Sequence, residues 1–271
     1  MTANLKSQAY NHIRAQMITG ELAEGGFFSP RQIAKTIGMS YTPVREAVIQ
    51  LETEGLLEKV GNRGVRMRHL APEELATVFE LRLVMETGAA EIAAEKITDR
   101  EIGCLKDNIR RHLSVLKDLR EQGRRRQVTE DSYNQADDRI LVLNMEFHLT
   151  ILNATRNTAL IKNIGDLRIL TRVVNTRVHF PGQDYLDQYL RDFRFHFRIY
   201  QAFCRRSADG AREWVKRHLR NAFEYNLAIH RAIESTMSSE KRARLLYPES
   251  LLESMRQIES RLSEPNRSGN S

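Results

Sequence analysis

Asn144 and His148 stand four residues apart, so on a helix their side chains lie one above the other on a single face. Leu141, Ile151 and Leu152, at helical spacing on that face, are apolar. His196 falls on a stripe with Tyr189, Ile199 and Phe203, and His218 on one with Ala211, Trp214, Ala222 and Tyr225. Three imidazoles and one amide are thus expected to point inward from three different helices. A single inward histidine is ordinarily a hydrogen-bonded core residue. Three that converge are harder to explain by packing alone.

A second group with chemical potential lies near the start of the chain, in the stretch Ser29 to Gly64. Ser29, Pro30 and Gln32 have the spacing of an N-cap, a first-turn proline and a capping box. Ile33, Ala34 and Ile37 give this short helix a buried side, and Gly38 ends it. Ser40 or Thr42 then caps a second helix, with Pro43 in its first turn. Val44, Ala47, Val48 and Leu51 form its apolar stripe, and Tyr41, Arg45, Ile49 and Glu52 its outer side. After Gly55, residues 56–60 and 65–68 read as two strands joined by the turn Gly61-Asn62-Arg63-Gly64. Asn4 to Thr19, with Leu5, Ala9, Ile13 and Met17 in register, supplies a helix beneath them. This is a winged helix-turn-helix whose second motif helix is expected to enter a major groove. Ser40 and Thr42 suit phosphate or base contacts, Arg63 could reach a phosphate, and Gly64 lets backbone approach the minor groove.

From Pro72 onward the pattern is almost wholly helical, over roughly 72–96, 99–121, 134–155, 158–178, 185–206 and 209–235. Thr98 with Glu101 forms a capping box, and Asp209 reads as an N-cap. The fold class is therefore mostly α: a winged helix-turn-helix over 1–71, then an all-α antiparallel bundle over 72–235. A tail over 236–271 carries Leu251, Met255, Ile258 and Leu262 on one helical stripe. Lys117 to Gln135, containing Gly123-Arg124-Arg125-Arg126, reads as an exposed basic loop or a helix extension.

Charge is a weaker guide than the motif. The chain of 271 residues has a net charge of +7, which suits a polyanion partner. Residues 1–70, however, hold nine Lys/Arg against six Asp/Glu, so the basic character is spread along the chain. Cys104 and Cys204 are far apart and fit no metal or CxxC spacing, which is consistent with free thiols in a reducing cytoplasm. No apolar run reaches the roughly 18 residues of a membrane span, and no signal-peptide core opens the chain. A cytoplasmic location with no membrane partner follows as the expectation.

The segments PVREAV, LETEGLL and GNRGV resemble the DNA-binding domain of GntR-family transcriptional regulators. ELRLVMETGAAEIAAE at 80–95 and NMEFHLTILNATRN at 144–157 resemble the all-helical FCD ligand-binding domain of the FadR-like branch of that family. The resemblance covers about residues 5–235. It implies a two-fold dimer on a palindromic double-stranded operator, with Arg31 and Arg45 at the positions of the family's DNA-contacting arginines. An arginine fork can hold guanine O6 and N7 together, worth about 1–3 kcal/mol of discrimination. Tyr41 departs from the usual Arg or Lys, and a tyrosine cannot make that fork, so the operator is expected to differ where the basic residue would read. Arg82 and Glu86 match the family's ELRxxxE pattern and read as a local ion pair worth little at a surface.

The resemblance also gives the histidines a purpose. Many FCD domains bind a divalent metal through an Asp or Asn, a His on the same helix and two later histidines, and Asn144, His148, His196 and His218 occupy those positions. Imidazole suits zinc or nickel, and manganese is compatible. Asn144 in place of the commoner Asp leaves the ion's charge uncompensated, which implies a small carboxylate effector on the metal, with Arg172 or Arg177 as a clamp. The reading is a non-enzymatic, effector-modulated DNA-binding regulator, expected to be a repressor. Two others stay open: a metal-dependent hydrolytic enzyme fused to a DNA-binding module, and a constitutive DNA-binding dimer. Glu146, two residues from Asn144, is expected to point away from the site, leaving no evident general base.

Overall fold

Tyr10, absent from the apolar register read in the sequence, is one of the residues that tie the first helix to the second motif helix. The computed structural model of the chain describes residues 2–19, 28–61, 64–68, 70–125, 129–172 and 185–236. Helix α1 (Thr2–Thr19) packs Ala9, Ile13 and Met17 into the core, as their spacing requires. Leu5, expected beside them, is 41% exposed in the first turn. Tyr10 takes its place in the core, because it too lies on the face of Ile13 and Met17. Its hydroxyl donates to Glu54 Oε2 at 2.6 Å, at the end of α3 (Tyr41–Thr53).

Between these helices lies α2 (Pro30–Thr36), whose start is set by the capping box the sequence announces. Gln32 N donates to Ser29 Oγ (3.2 Å) and Ser29 N donates to Gln32 Oε1 (2.9 Å). Ser40 occupies the N-cap position of α3 without a side-chain cap bond, and Thr42 sits inside its first turn. Val44, Ala47, Val48 and Leu51 are buried, while Tyr41, Arg45 and Ile49 are exposed, so the two faces of α3 fall as the sequence indicates.

The wing pairs β1 (Leu57–Lys59) with β2 (Val65–Met67), antiparallel, in the register Leu57↔Met67, Glu58↔Arg66, Lys59↔Val65. Phe28 adds a bridge to Val65, with two backbone hydrogen bonds of 3.0 Å. Gly64 has φ +119°, and a Cβ there would lie 2.5 Å from the Phe28 carbonyl oxygen. Its glycine is therefore required inside the fold, a different reason from the DNA approach expected of it. Arg63 lies outside the described residues.

The chain divides into two compact units, the first built on residues up to Leu75 together with the segments that begin at Arg168 and at Ile229, and the second on Ala76–Leu167 together with the segment that ends at Ala228. The first of these boundaries falls four residues inside α4 (Pro72–Lys96). Helices α5 (Asp99–Arg124), α6 (Glu130–Ala154), α7 (Thr158–Arg172), α8 (Tyr185–Cys204) and α9 (Ala208–Thr236) follow. The basic insertion is mostly helix: α5 runs on to Arg124, and α6 starts early behind a Thr129–Ser132 capping box, with 126–128 outside the described residues. Helix α9 begins one residue before Asp209, whose expected capping role falls to Ser207; its Oγ accepts from Gly210 N at 3.1 Å. The tail helix expected over 251–262 lies outside the described residues.

Inside the second unit the alanines Ala90, Ala93 and Ala94 of α4 pack against Phe147, Ile199, Phe203 and Val215 of the later helices. Small residues there let the helices approach closely, and full burial of each large apolar side chain contributes about 1.5–3 kcal/mol. Two helix ends are closed by arginines with left-handed backbone, Arg156 (φ 57°) and Arg206 (φ 48°). Arg156 grips Glu101 at 2.6 and 2.9 Å, and Arg206 reaches Asp99 at 2.8 Å and the Ile97 carbonyl, so both corners are tied to the start of α5.

Arg82 and Glu86, read as a surface pair, are instead buried, 8% and 4% exposed, and bonded at 2.8 Å. The Arg82 guanidinium stands 4.7 Å from the Phe79 ring centre, and Phe79 in turn meets Phe223 of α9 at 5.0 Å. Burial of both side chains, with the Phe79 ring against the guanidinium, removes the solvent screening that made the pair look negligible. Cys104 and Cys204 are exposed free thiols. Among the described residues, no helix is long and apolar enough to cross a membrane.

Candidate metal centre and nucleic-acid interface

His148 on α6, His196 on α8 and His218 on α9 converge as their apolar stripes require, at 6%, 0% and 5% exposure. One ligand atom from each can be chosen so that all lie within 4.8 Å of one another. The rings of His148 and His218 stack, 5.1 Å between centres and 19° between planes. His196 stands edge-on to both, 5.1 Å from His148 and 4.8 Å from His218. Nε2 of His148 and Nε2 of His218 are 3.2 Å apart. That separation serves an N–H···N bond, and it also matches the roughly 3.3 Å edge of a tetrahedron with zinc–nitrogen bonds of about 2.0–2.1 Å.

Phe147, fully buried beside His148, stacks on His196 with a centre separation of 4.5 Å and 21° between planes. Phe195 tilts against His218 at 5.9 Å. Three imidazoles enclosed in an aromatic shell, each able to present a neutral nitrogen, are a donor set that fits a late first-row divalent ion.

Asn144 lies one turn before His148 on α6, half-buried. Glu146 is held by Arg111 and by Asn108 Nδ2 at 3.2 Å, so it is not poised as a base at the histidines. Arg172 ends α7, and its side chain and the whole of Arg177 lie outside the described residues.

Two polar neighbours of the triad were not singled out from the sequence. His112 of α5 is fully buried, 5.8 Å from the His196 ring centre and 5.4 Å from that of Phe193. Burial pulls its imidazole pKa down to about 4, so it is neutral at physiological pH. Asp192, one turn before His196, accepts from Gln188 at 3.2 Å and from Asn221 of α9 at 3.3 Å. The residue is half-buried but its carboxyl is the enclosed part; burial pushes it up to about 7 against the opposing pulls of Gln188 and Arg191. The signal for His112 was available: Leu105, Asn108, Ile109, His112 and Leu116 recur at helical spacing.

In the first unit Arg31, Ser40, Tyr41, Thr42 and Arg45 are all exposed around the start of α3. The Arg31 guanidinium stands 5.6 Å from the centre of the Tyr41 ring. The tyrosine that replaces a basic residue thus holds a neighbouring arginine by a cation–π contact.

Both units match known signatures. The one described as the FCD domain spans residues 77–221, over half of the chain and all three converging histidines, and the one described as bacterial regulatory proteins, gntR family, spans 5–67. The chain belongs to the GntR family, with an FCD domain. Among GntR relatives, it is 24% identical to the HTH-type transcriptional regulator YdhC of Bacillus subtilis, over 80% of this chain and 89% of that protein. It is 27% identical to a probable D-xylose utilization operon transcriptional repressor of Paenarthrobacter nicotinovorans, over 66% of this chain and 72% of that one. The fold matches the solved structure of McbR/YncC of Escherichia coli with a TM-score of 0.68 at 17% identity, covering 83% and 98% of the two chains. This GntR protein is a transcriptional regulator and not an enzyme.

Proposed function

We propose that this GntR regulator is a homodimeric, cytoplasmic repressor that binds a palindromic operator and is modulated by a small carboxylate at a metal site in its FCD domain. The observation that carries the reading is the convergence of His148, His196 and His218 within 4.8 Å in an aromatic shell. They would hold the ion, with the amide oxygen of Asn144 as a further ligand; zinc or nickel suits this set best and manganese is compatible. When bound, such an ion supplies positive charge and open coordination positions. The clustered ligand atoms found among the described residues are all imidazole nitrogens, so the ion's charge favours an anionic effector. Arg172 and Arg177 remain candidates for its clamp.

On the DNA side, Arg31 and Arg45 are proposed to anchor each half-site, with Ser40, Tyr41, Thr42, Arg63 and Gly64 completing the contact. Dimerisation is supported by α4, which exposes Leu81 (48%) and Val84 (71%) three residues apart on one side of the helix. A repressor role is in keeping with the relative from Paenarthrobacter nicotinovorans, itself a probable repressor. The test is calorimetric titration of nickel-loaded protein with a panel of small carboxylates, repeated after chelation. Binding that disappears on chelation is expected; equal affinity in both states would contradict the metal's part.

A further inference from the structure

His112 is a further buried histidine beside the triad. It is fully buried, yet neither ring nitrogen has a hydrogen-bond partner among the described residues. A buried polar group left unsatisfied costs about 1–3 kcal/mol, and such groups in native proteins call for an explanation. Its ring centre is 5.8 Å from that of His196, beyond the 4.8–5.1 Å separations within the triad. It is also outside the cluster of ligand atoms. His112 is therefore too distant to share the triad's ion and close enough to meet a group carried on it.

One turn earlier on the same face of α5 stands Asn108, 2% exposed. Its amide nitrogen donates to the Leu143 carbonyl at 2.8 Å and to Glu146, which fixes which end of the amide is nitrogen. Its Oδ1 is buried and has no donor among the described residues. A neutral imidazole offers one N–H and one lone pair, whereas this amide oxygen can only accept. Helix α5 thus presents a donor suited to a carboxylate oxygen and, one turn away, an acceptor suited to a hydroxyl.

We infer that His112 and Asn108 form an effector-recognition wall on α5, selecting a small carboxylate that also bears a hydroxyl. The inference rests on the metal-linked carboxylate site proposed above and adds the residues that read the ligand's other groups. His112 donates to the carboxylate, and Asn108 Oδ1 accepts from the hydroxyl. A ligand lacking the hydroxyl leaves Asn108 unsatisfied, as in the free protein, and binds less tightly.

The test uses full-length nickel-loaded protein, titrated calorimetrically with malate and with succinate, which differ by one hydroxyl. Wild type is expected to prefer malate by about tenfold, the order of one buried hydrogen bond. His112→Phe is expected to weaken both ligands about tenfold or more while nickel stoichiometry and the nickel absorption spectrum stay unchanged. Its melting temperature should not fall, since the substitution removes an unsatisfied buried group. His112→Gln, which keeps an N–H donor, should recover part of the affinity. Asn108→Ala should erase the malate preference, and Asn108→Asp, which keeps an acceptor, should retain more of it. Unchanged affinity in His112→Phe, loss of nickel together with ligand in that variant, or equal wild-type affinity for malate and succinate would overturn the inference. Wild-type protein that holds nickel but binds neither acid would overturn the carboxylate site as well.

Discussion

His196 meets the Phe147 ring, both other imidazoles of the triad and His112, so it is the residue whose removal most disturbs the cluster. His196→Ala is expected to lower nickel or zinc affinity by more than the about 10–100-fold that changes outside the ligand shell cost. Metal content after dialysis against a competing chelator reads this directly. On the DNA side, Arg45→Ala should cost about 1–3 kcal/mol of operator discrimination. Tyr41→Phe should leave operator affinity near wild type, because the ring that holds Arg31 is retained, while Tyr41→Ala should lower it; fluorescence anisotropy on an operator selected from random DNA distinguishes the two. The three later histidines were legible because each lies on an apolar helical stripe. His112 lies on one too, but Arg110 and Arg111 just before it give the local sequence a solvated look. Asp192 gave no comparable signal, because its partners Gln188 and Asn221 sit on two helices brought together by packing.

At the scale of elements, local chemistry fixed the boundaries and tertiary contacts fixed the exceptions. The capping boxes at Ser29 and Thr98 stand where the residue spacing put them. The burial of Arg82 and Glu86 could not be read, because it depends on Phe79 and on α9 covering the pair. Glu86→Gln removes the carboxylate 2.8 Å from an enclosed guanidinium and is expected to cost about 3 kcal/mol, by urea denaturation. Asp192 gives the bundle a pH dependence of definite sign. Its folded pKa of about 7 lies above the ordinary 3.8, so folded chain binds a proton that unfolded chain has released between those values. Stability of chelated protein should fall as pH rises through about 4 to 7, by at most about 1.4 kcal/mol per pH unit, and then level off. Asp192→Asn should remove that slope, and an identical slope in the variant would assign it to other groups.

For the whole molecule, the sequence resolved the family, which the signatures over 5–67 and 77–221 show. It did not resolve how one unit informs the other, because coupling depends on the energies of alternative arrangements and not on motifs. If ligand binding changes operator affinity, linkage requires operator binding to change ligand affinity by the same factor. The most direct measurement is anisotropy of the selected operator with nickel-loaded protein, with and without a carboxylate that binds it, repeated after chelation. The account predicts that the carboxylate weakens operator binding by about 5–150-fold and that chelation abolishes this response. Operator affinity indifferent to the carboxylate, or a response that survives removal of the metal, would contradict it.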